Sequence, residues 1–317
     1  MGKILVTGGA GYIGNHVVRK LCDGGYNVVV FDDLSTGIRE NVDSRAEFVE
    51  GDVFGSDLDN VFSNDVECVF HLAALKSIPE SMANPGKYVR TNIHGSIGVL
   101  NRMKRYGINK IVFSSSAAVY GVPEYLPIDE NHPLKPTNYY GTTKLNVENM
   151  LKEYESEGIR YAILRYFNAA GYDVNGNIKK MYSDSALLPV IMEVANGSRE
   201  RMEVYGDDYK TKDGTCIRDF IHVSDLAEAH LLAMKHLGEE SFTVNLSSEK
   251  GYSVLEVIEK AKEITGKDIK FDIVGRRTGD VAESVASSKL ALEKLGWKTK
   301  YSDIDTIIRT MWDVYSR

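Results

Sequence analysis

Tyr140 and Lys144 stand four residues apart in the stretch NYYGTTK, a spacing that sets a phenol and an ammonium one above the other on a helix face. A fixed positive charge beside a phenol favours the phenolate, so the pair can act as a base toward a hydroxyl. Free tyrosine ionises near ~10, and bringing it to roughly 7 requires about 4 kcal/mol of differential stabilisation. A partly desolvated site with a second positive neighbour beside the lysine can supply that. The run FSSS ends at Ser116, 24 residues before Tyr140, and its hydroxyl can hold a substrate oxygen in line. Serine, tyrosine and lysine together suit removal of a hydroxyl proton while hydride leaves the carbon that bears it.

That hydride needs an acceptor, and TGGAGYIGNH near the N-terminus offers its site. The run satisfies Gly9-x-Gly11-x-x-Gly14 and the overlapping Gly8-x-x-Gly11-x-x-Gly14, between a β-branched run and a helical pattern. Glycines there permit a tight turn and leave a pyrophosphate facing free N–H groups at the helix start. The next β-branched run ends in FDD, which puts Asp32 18 residues past Gly14, near the spacing of an acid that grips an adenosine ribose. A carboxylate accepts from ribose hydroxyls and repels a 2′-phosphate, which selects NAD over NADP. Asp52, in EGDVFG, reads either as an adenine contact or as an ordinary turn aspartate.

Bringing these residues together takes a particular scaffold. KILVTG, NVVVFDD, EFVEGD, CVFHLAA, NKIVFSSS and YAILRYFN alternate with helix-length segments, the pattern of an α/β fold with a doubly wound parallel sheet (Rossmann) and helices on both faces. Carboxyl ends of strands line the ligand crevice in such a sheet, so Ser116, the glycine turn and the helix with Tyr140 and Lys144 converge there. Residues 1–171 read as an NAD-binding domain. Residues 172–317 read mainly as a smaller C-terminal substrate-binding lobe, whose chain passes back into the large sheet at 217–245. RDFIHVSDLAEAHLLAMKHL reads as a strand and an amphipathic helix, SFTVNL as a returning strand, and SVLEVIEKAKEI and SKLALEKLGW as helices around the strand IKFDIV.

Bulk properties exclude several function classes. With 317 residues, 43% hydrophobic and 26% charged, the chain suits a large folded core. A net charge of −7 without a basic cluster leaves no footprint for nucleic acid or an anionic membrane, and no apolar run reaches the length of a bilayer span. MGKILVTGGAGYIG enters a strand and a turn directly, unlike a signal peptide. Cys22, Cys68 and Cys216 are scattered and in no CxxC pairing, so a cytoplasmic protein with reduced thiols is expected. The histidines show no metal-binding spacing, and no metal is expected.

At these residues the chain resembles the extended short-chain dehydrogenase/reductase family, and within it the epimerase branch. TGGAGYIG, FDDLSTG, HLAALKSIPES, TNIHGS, FSSSAAVYG, YYGTTK, RYFNAAG, GTCIRDFIHVSDLA and RRTGDVAES have counterparts in order. The resemblance implies Gly8, Gly11, Tyr12, Ile13 and Gly14 on the pyrophosphate, Asp32 and Asp33 on the adenosine ribose, and Asp52 and Val53 at the adenine. Further cofactor contacts are implied for Leu72, Ala73, Lys76, Asn92, Tyr140, Lys144 and Phe167. On the substrate side it implies Asn168, Arg218 and Arg277 at the diphosphate, Asp280 at the uridine ribose, Ser284 at the hexose, and contacts from Lys76, Ser116, Tyr140, Leu187 and Tyr205. Arginine forks suit phosphates and a carboxylate suits a diol; Arg218 and Arg277 also suit structural ion pairs, and Lys76 a solvated surface.

The implied activity is NAD-dependent epimerisation at C4 of a UDP-hexose through a 4-keto intermediate. Dehydratases and decarboxylases of the group resemble one another in an Asp or Glu just after the strand-end Ser/Thr, where this chain has Ala117 and Ala118, neither of which exchanges a proton. Hydride return to the opposite face of a rotated keto sugar remains. Ser284 stands where a tyrosine often walls the hexose C2 side, which implies that UDP-N-acetylglucosamine and UDP-N-acetylgalactosamine enter as well as UDP-glucose and UDP-galactose. Three departures are Ala186, where relatives carry Asn at the uracil, Tyr139, where proline is common, and residues 174–185, which do not resemble the usual loop. Alternative readings are a UDP-glucuronate 4-epimerase, a nucleotide-sugar 4-reductase, or a dinucleotide-binding protein without turnover. The resemblance also implies a homodimer, paired through helical segments at about 86–106 and 138–157.

Overall fold

The computed structural model describes residues 2–178, 180–182, 185–238, 240–277 and 279–317. Lys179, Ser183 and Asp184, in the stretch that departs from the usual loop, lie outside the described residues, as do Met1, Glu239 and Thr278. In chain order the first half runs β1 (Lys3–Thr7), α1 (Tyr12–Asp23), β2 (Asn27–Asp32), β3 (Glu47–Glu50), β4 (Val66–His71), α2 (Ile78–Ala83), α3 (Pro85–Tyr88), α4 (Gly95–Tyr106), β5 (Lys110–Ser116), α5 (Tyr139–Tyr154) and β6 (Arg160–Tyr166). There follow β7 (Asn168–Ala170), α6 (Leu187–Ala195), β8 (Met202–Tyr205), β9 (Ile217–His222), α7 (Val223–His236), β10 (Phe242–Leu246), β11 (Gly251–Ser253), α8 (Val254–Thr265), β12 (Phe271–Val274), β13 (Glu283–Ser284), α9 (Lys289–Leu295) and α10 (Ile304–Tyr315).

Seven strands pair in parallel in the order β10-β6-β5-β4-β1-β2-β3. The order reverses between β1 and β4, the switch point where a doubly wound sheet opens its ligand crevice. Side chains alternate across β1: Ile4 and Val6 pack with Val17 and Leu21 of α1 and Leu226 of α7, while Leu5 packs with Leu100 of α4 and Leu151 of α5. Each buried aliphatic contributes ~1.5–3 kcal/mol, so both faces being covered explains why the strands read as continuous apolar runs. The expected doubly wound sheet is therefore the observed one.

The second lobe has its own core, built from Leu188 and Ile191 of α6, Ile258 of α8 and Ile307 of α10. In that lobe β9 pairs in parallel with β7 and β13 and antiparallel with β11, and β8 pairs in parallel with β12. The chain between 217 and 245 thus divides: β9 stays in the small sheet, α7 packs against α1, and β10 takes the outer edge beside β6. Tyr166 ends β6 opposite Ser116, and Asn168 already pairs with Phe220 of β9. One residue, Phe167, separates the two sheets, so their rims meet at the carboxyl end of β5. Among the described residues no helix is long and apolar enough to cross a membrane.

Candidate active site

Tyr140, Lys144 and Glu148 follow one another at intervals of four along α5 and share its inner face. The start of this helix is held by three side chains. Asn138 accepts from the Gly141 N–H at 2.8 Å, Ser81 from the Tyr140 N–H at 3.1 Å, and the Met82 sulfur from the Tyr139 N–H at 3.4 Å. A Cβ on Gly141 would lie 2.4 Å from the Ala118 carbonyl oxygen, so glycine is what lets α5 press onto the turn after β5. That close approach brings Tyr140 to Ser116, whose hydroxyl accepts from the Ala118 N–H at 3.2 Å and also bonds the phenol. Neither Gly141 nor Ser81 was singled out from sequence, although the glycine sits inside the YYGTTK motif.

Burial raises the Tyr140 phenol and the Ser116 hydrogen bond pulls it only part of the way back. Lys144, 3% exposed, donates to the Ser114 carbonyl at 2.8 Å and lies 5.0 Å from the ring centre of Phe113 and 5.9 Å from that of Tyr140. Burial pushes the Lys144 ammonium down to about 7, with Glu148 pulling it up. The four-residue spacing therefore brings the ammonium near the ring and onto a backbone carbonyl, and these side chains alone do not make the phenol more acidic.

At the switch point Gly8, Gly11, Asp32, Asp33, Val53, Leu72 and Ala73, all expected at the cofactor, line one cleft. A Cβ on Gly14 would fall 2.0 Å from the Gly8 carbonyl oxygen, so the turn closes only on glycine. No side chain caps α1, and the N–H groups of an uncapped helix start can face an anion. Asp32 is buried; one oxygen accepts from the Ala10 N–H and the other from the Leu34 N–H, each at 2.9 Å. Burial raises this carboxyl, and those N–H groups pull it down. Each oxygen keeps a second lone pair for a diol. An uncapped helix start, a carboxylate and a narrow glycine cradle fit a dinucleotide.

Other expected cofactor residues are committed differently. Asp52 accepts from the Phe54 N–H at 2.9 Å and faces Arg90 at 3.4 Å, a turn arrangement, while Val53 lines the cleft. Asn92, buried in a π turn at Val89–His94, donates to the Leu75 carbonyl and to the Thr143 hydroxyl, both at 3.0 Å, and accepts from the Leu75 N–H at 2.8 Å. Both its donors are thereby used, tying the segment that carries Lys76 to α5. Lys76 itself is exposed, the Tyr12 hydroxyl donates to the Gly171 carbonyl, and Phe167 packs with Val119 and Tyr120 beneath the turn after β5.

On the second lobe, Arg218 and Arg277 converge on Asp280 at 3.6 Å and 3.0 Å. The Arg277 guanidinium lies 5.3 Å from the Tyr205 ring centre, and Arg218 also donates to the Val281 carbonyl at 2.8 Å. Ser284 stands beside Arg218 in the β9–β13 register. The Asn168 amide donates to the Asp219 carbonyl at 2.7 Å, one residue from Arg218. Leu187 opens α6, partly buried, with Ala186 at the helix cap.

Residues 4–246 match the model of the NAD dependent epimerase/dehydratase family. The chain belongs to this family. The resemblance read from its motifs is thereby borne out. One member of the NAD dependent epimerase/dehydratase family to which it is similar is the UDP-glucose 4-epimerase of Lacticaseibacillus casei, 45% identical over 316 residues that cover 98% of this chain and 96% of that one. The crystal structure of UDP-glucose 4-epimerase from Brucella ovis in complex with NAD aligns with a TM-score of 0.96 at 42% identity, covering 100% and 99% of the two chains. The UDP-glucose 4-epimerase from Bifidobacterium longum in complex with NAD+ and UDP aligns with a TM-score of 0.94 at 36% identity, covering 98% and 97%.

Two buried residues next to this site were not anticipated. Arg165 of β6 grips Glu148 through both prongs, Nε to Oε1 at 2.9 Å and Nη2 to Oε2 at 2.6 Å. The signal was present: Glu148 lies one turn beyond Lys144, among the buried Val147 and Leu151 of the same helix.

Proposed function

We infer that the protein is an isomerase, an NAD-dependent 4-epimerase that interconverts UDP-glucose and UDP-galactose through a 4-keto intermediate. The convergence of Ser116, Tyr140 and Lys144 at the carboxyl end of β5, where the rims of the two sheets meet, carries this reading. The cleft would hold NAD, whose nicotinamide would supply a reversible hydride acceptor for C4. The N–H groups at the start of α1 hold its pyrophosphate, and Asp32 holds its adenosine ribose and turns away a 2′-phosphate. Ser116 fixes the sugar O4 while Tyr140 takes its proton, and Tyr140 returns that proton when the ketone is reduced. Arg218 and Arg277 clamp the diphosphate and Asp280 the uridine ribose, so the loosely held keto sugar can turn over between the two half-reactions. Ala117 and Ala118 supply no acid or base for elimination.

The lobes divide this work, 1–171 with α7 and β10 for NAD, and β9 with the remainder of 172–317 for the UDP-sugar. Incubation with UDP-galactose alone, without added NADH, is expected to yield UDP-glucose. A strict need for added NADH turns the reading to a 4-reductase, and a preference for UDP-glucuronate turns it to the uronate epimerase. The segments 86–106 and 138–157 are proposed as the faces of a homodimer, so light scattering is expected to return the mass of two chains. Three buried, unpaired cysteines suit the reducing cytoplasm.

Ser284, small and adjacent to Arg218, leaves room on the hexose side for an N-acetyl group. We expect turnover of UDP-N-acetylglucosamine and UDP-N-acetylgalactosamine, and Ser284→Tyr to cut it by about tenfold or more while sparing the plain hexoses. A native protein inactive on the acetylated pair at saturation rejects the assignment.

A further inference from the structure

Lysine and glutamate one helical turn apart ordinarily pair. Lys144 and Glu148 do not: both Glu148 oxygens are held by the Arg165 fork, and the Ser115 hydroxyl donates to one of them at 2.5 Å. Arg165 is fixed in turn. Its Nη1 donates to the Tyr120 hydroxyl at 3.0 Å, and that hydroxyl donates to the Asn245 side chain at 2.6 Å. The network thus ties α5, β5, β6 and β10 together, with side chains 3% and 0% exposed at Arg165 and Glu148. Burying such a fork adds little stability over well-packed apolar residues, so stability alone is a weak reason for it. What it does is occupy a carboxylate that would otherwise draw the Lys144 ammonium off the Ser114 carbonyl and away from Tyr140.

We propose that Arg165 and Glu148 are positioning residues for Lys144: the Arg165 fork sequesters the Glu148 carboxylate so that the lysine charge is directed at Tyr140. This rests on the reading of Tyr140 as the base. The other groups facing Lys144 offer no competing charge. His71 of β4 is pushed down to about 3 by burial and stays neutral, with its nitrogens on the Thr7 and Ser96 hydroxyls at 2.7 Å and 2.8 Å. Burial raises Tyr166 of β6, which is also neutral and bonded to the Ser114 hydroxyl; the Phe113 ring carries no charge. Among the described residues facing Lys144, Glu148 is the one carboxylate.

The test follows the Lys144 side chain directly, by NMR titration of holoenzyme carrying 13C-labelled lysine, the signal being assigned by its loss in Lys144→Met. In parallel, kcat for UDP-galactose is measured against pH. Arg165→Met releases Glu148 onto Lys144, so the Lys144 midpoint rises by about one pH unit, tenfold in proton affinity. With the lysine charge compensated, Tyr140 needs a higher pH, so the acid limb of kcat moves up while KM holds. Glu148→Gln lowers the Lys144 midpoint. The double variant, which removes both charges and so does not depend on tolerating a lone buried one, returns both midpoints toward native, and Arg165→Lys restores part of the shift. Loss of activity with neither midpoint moved, or a double variant as displaced as Arg165→Met, overturns the proposal and leaves the pair purely structural. Native turnover in Lys144→Met is a separate failure, that of the base reading itself.

Discussion

Tyr140→Phe is expected to lower kcat for UDP-galactose by about 10²–10⁴-fold, with KM and retained dinucleotide unchanged. One oxygen is removed, and nothing that builds the helix depends on it: Asn138, Ser81 and Met82 hold the start of α5 through backbone N–H groups. The ring stays where it was, so the loss falls on proton transfer in both half-reactions. A drop of about 10³-fold corresponds to about 4 kcal/mol of transition-state stabilisation. A change in kcat without one in KM is the signature of an interaction made only in the transition state. Because burial raises this phenol within the polypeptide, the base needs help from charge, and Lys144 is the neighbour placed to give it. A Phe variant that turns over within twofold of native removes Tyr140 from the chemistry and takes the epimerase mechanism with it.

How much of this was legible in the sequence depended on distance along the chain. Asp32 and Ser116 each end a strand and Gly14 lies in the first turn of the helix that follows one, so a local pattern places them at the crevice before any tertiary contact is known. Tyr140 and Lys144 share a face because helical geometry requires it. What surrounds them is another matter. The carbonyl that takes the Lys144 ammonium belongs to Ser114, on a strand separated from the helix by the whole turn region. Glu148 meets Arg165 only because β6 lies beside β5 in register, and Tyr120 meets Asn245 only because β10 closes the edge of the sheet. Asn92 illustrates the converse: its motif pointed to the cofactor, yet its amide is spent on Leu75 and Thr143. Similarly, RDFIHV announces a strand, but the large sheet expected to take it does not: β9 pairs with β7 and β13, which are too short to show a period of their own.

Gly14→Ala is expected to strip the protein of dinucleotide and abolish turnover, and the argument is steric. The added methyl would stand 2.0 Å from the Gly8 carbonyl oxygen and 2.8 Å from the Gly9 Cα, both backbone atoms of the turn. Relief requires α1 to retreat, but Val17, Val18 and Leu21 on its inner face are packed against the sheet. Overpacking of this kind costs ~1–3 kcal/mol, against the ~1 kcal/mol that alanine gains over glycine inside a helix. A turn with slack would therefore melt higher with alanine, and a tight one lower, so the sign of the change in Tm reads the packing. Gly11→Ala separates that effect from binding: its methyl meets only the Gly8 carbonyl, at 3.2 Å, and otherwise projects into the cleft. That variant should keep its Tm and still lose NAD, as measured by mass spectrometry of the purified protein. A Gly14→Ala protein that melts like the native one and retains its full NAD content would mean that the helix start is not the pyrophosphate cradle.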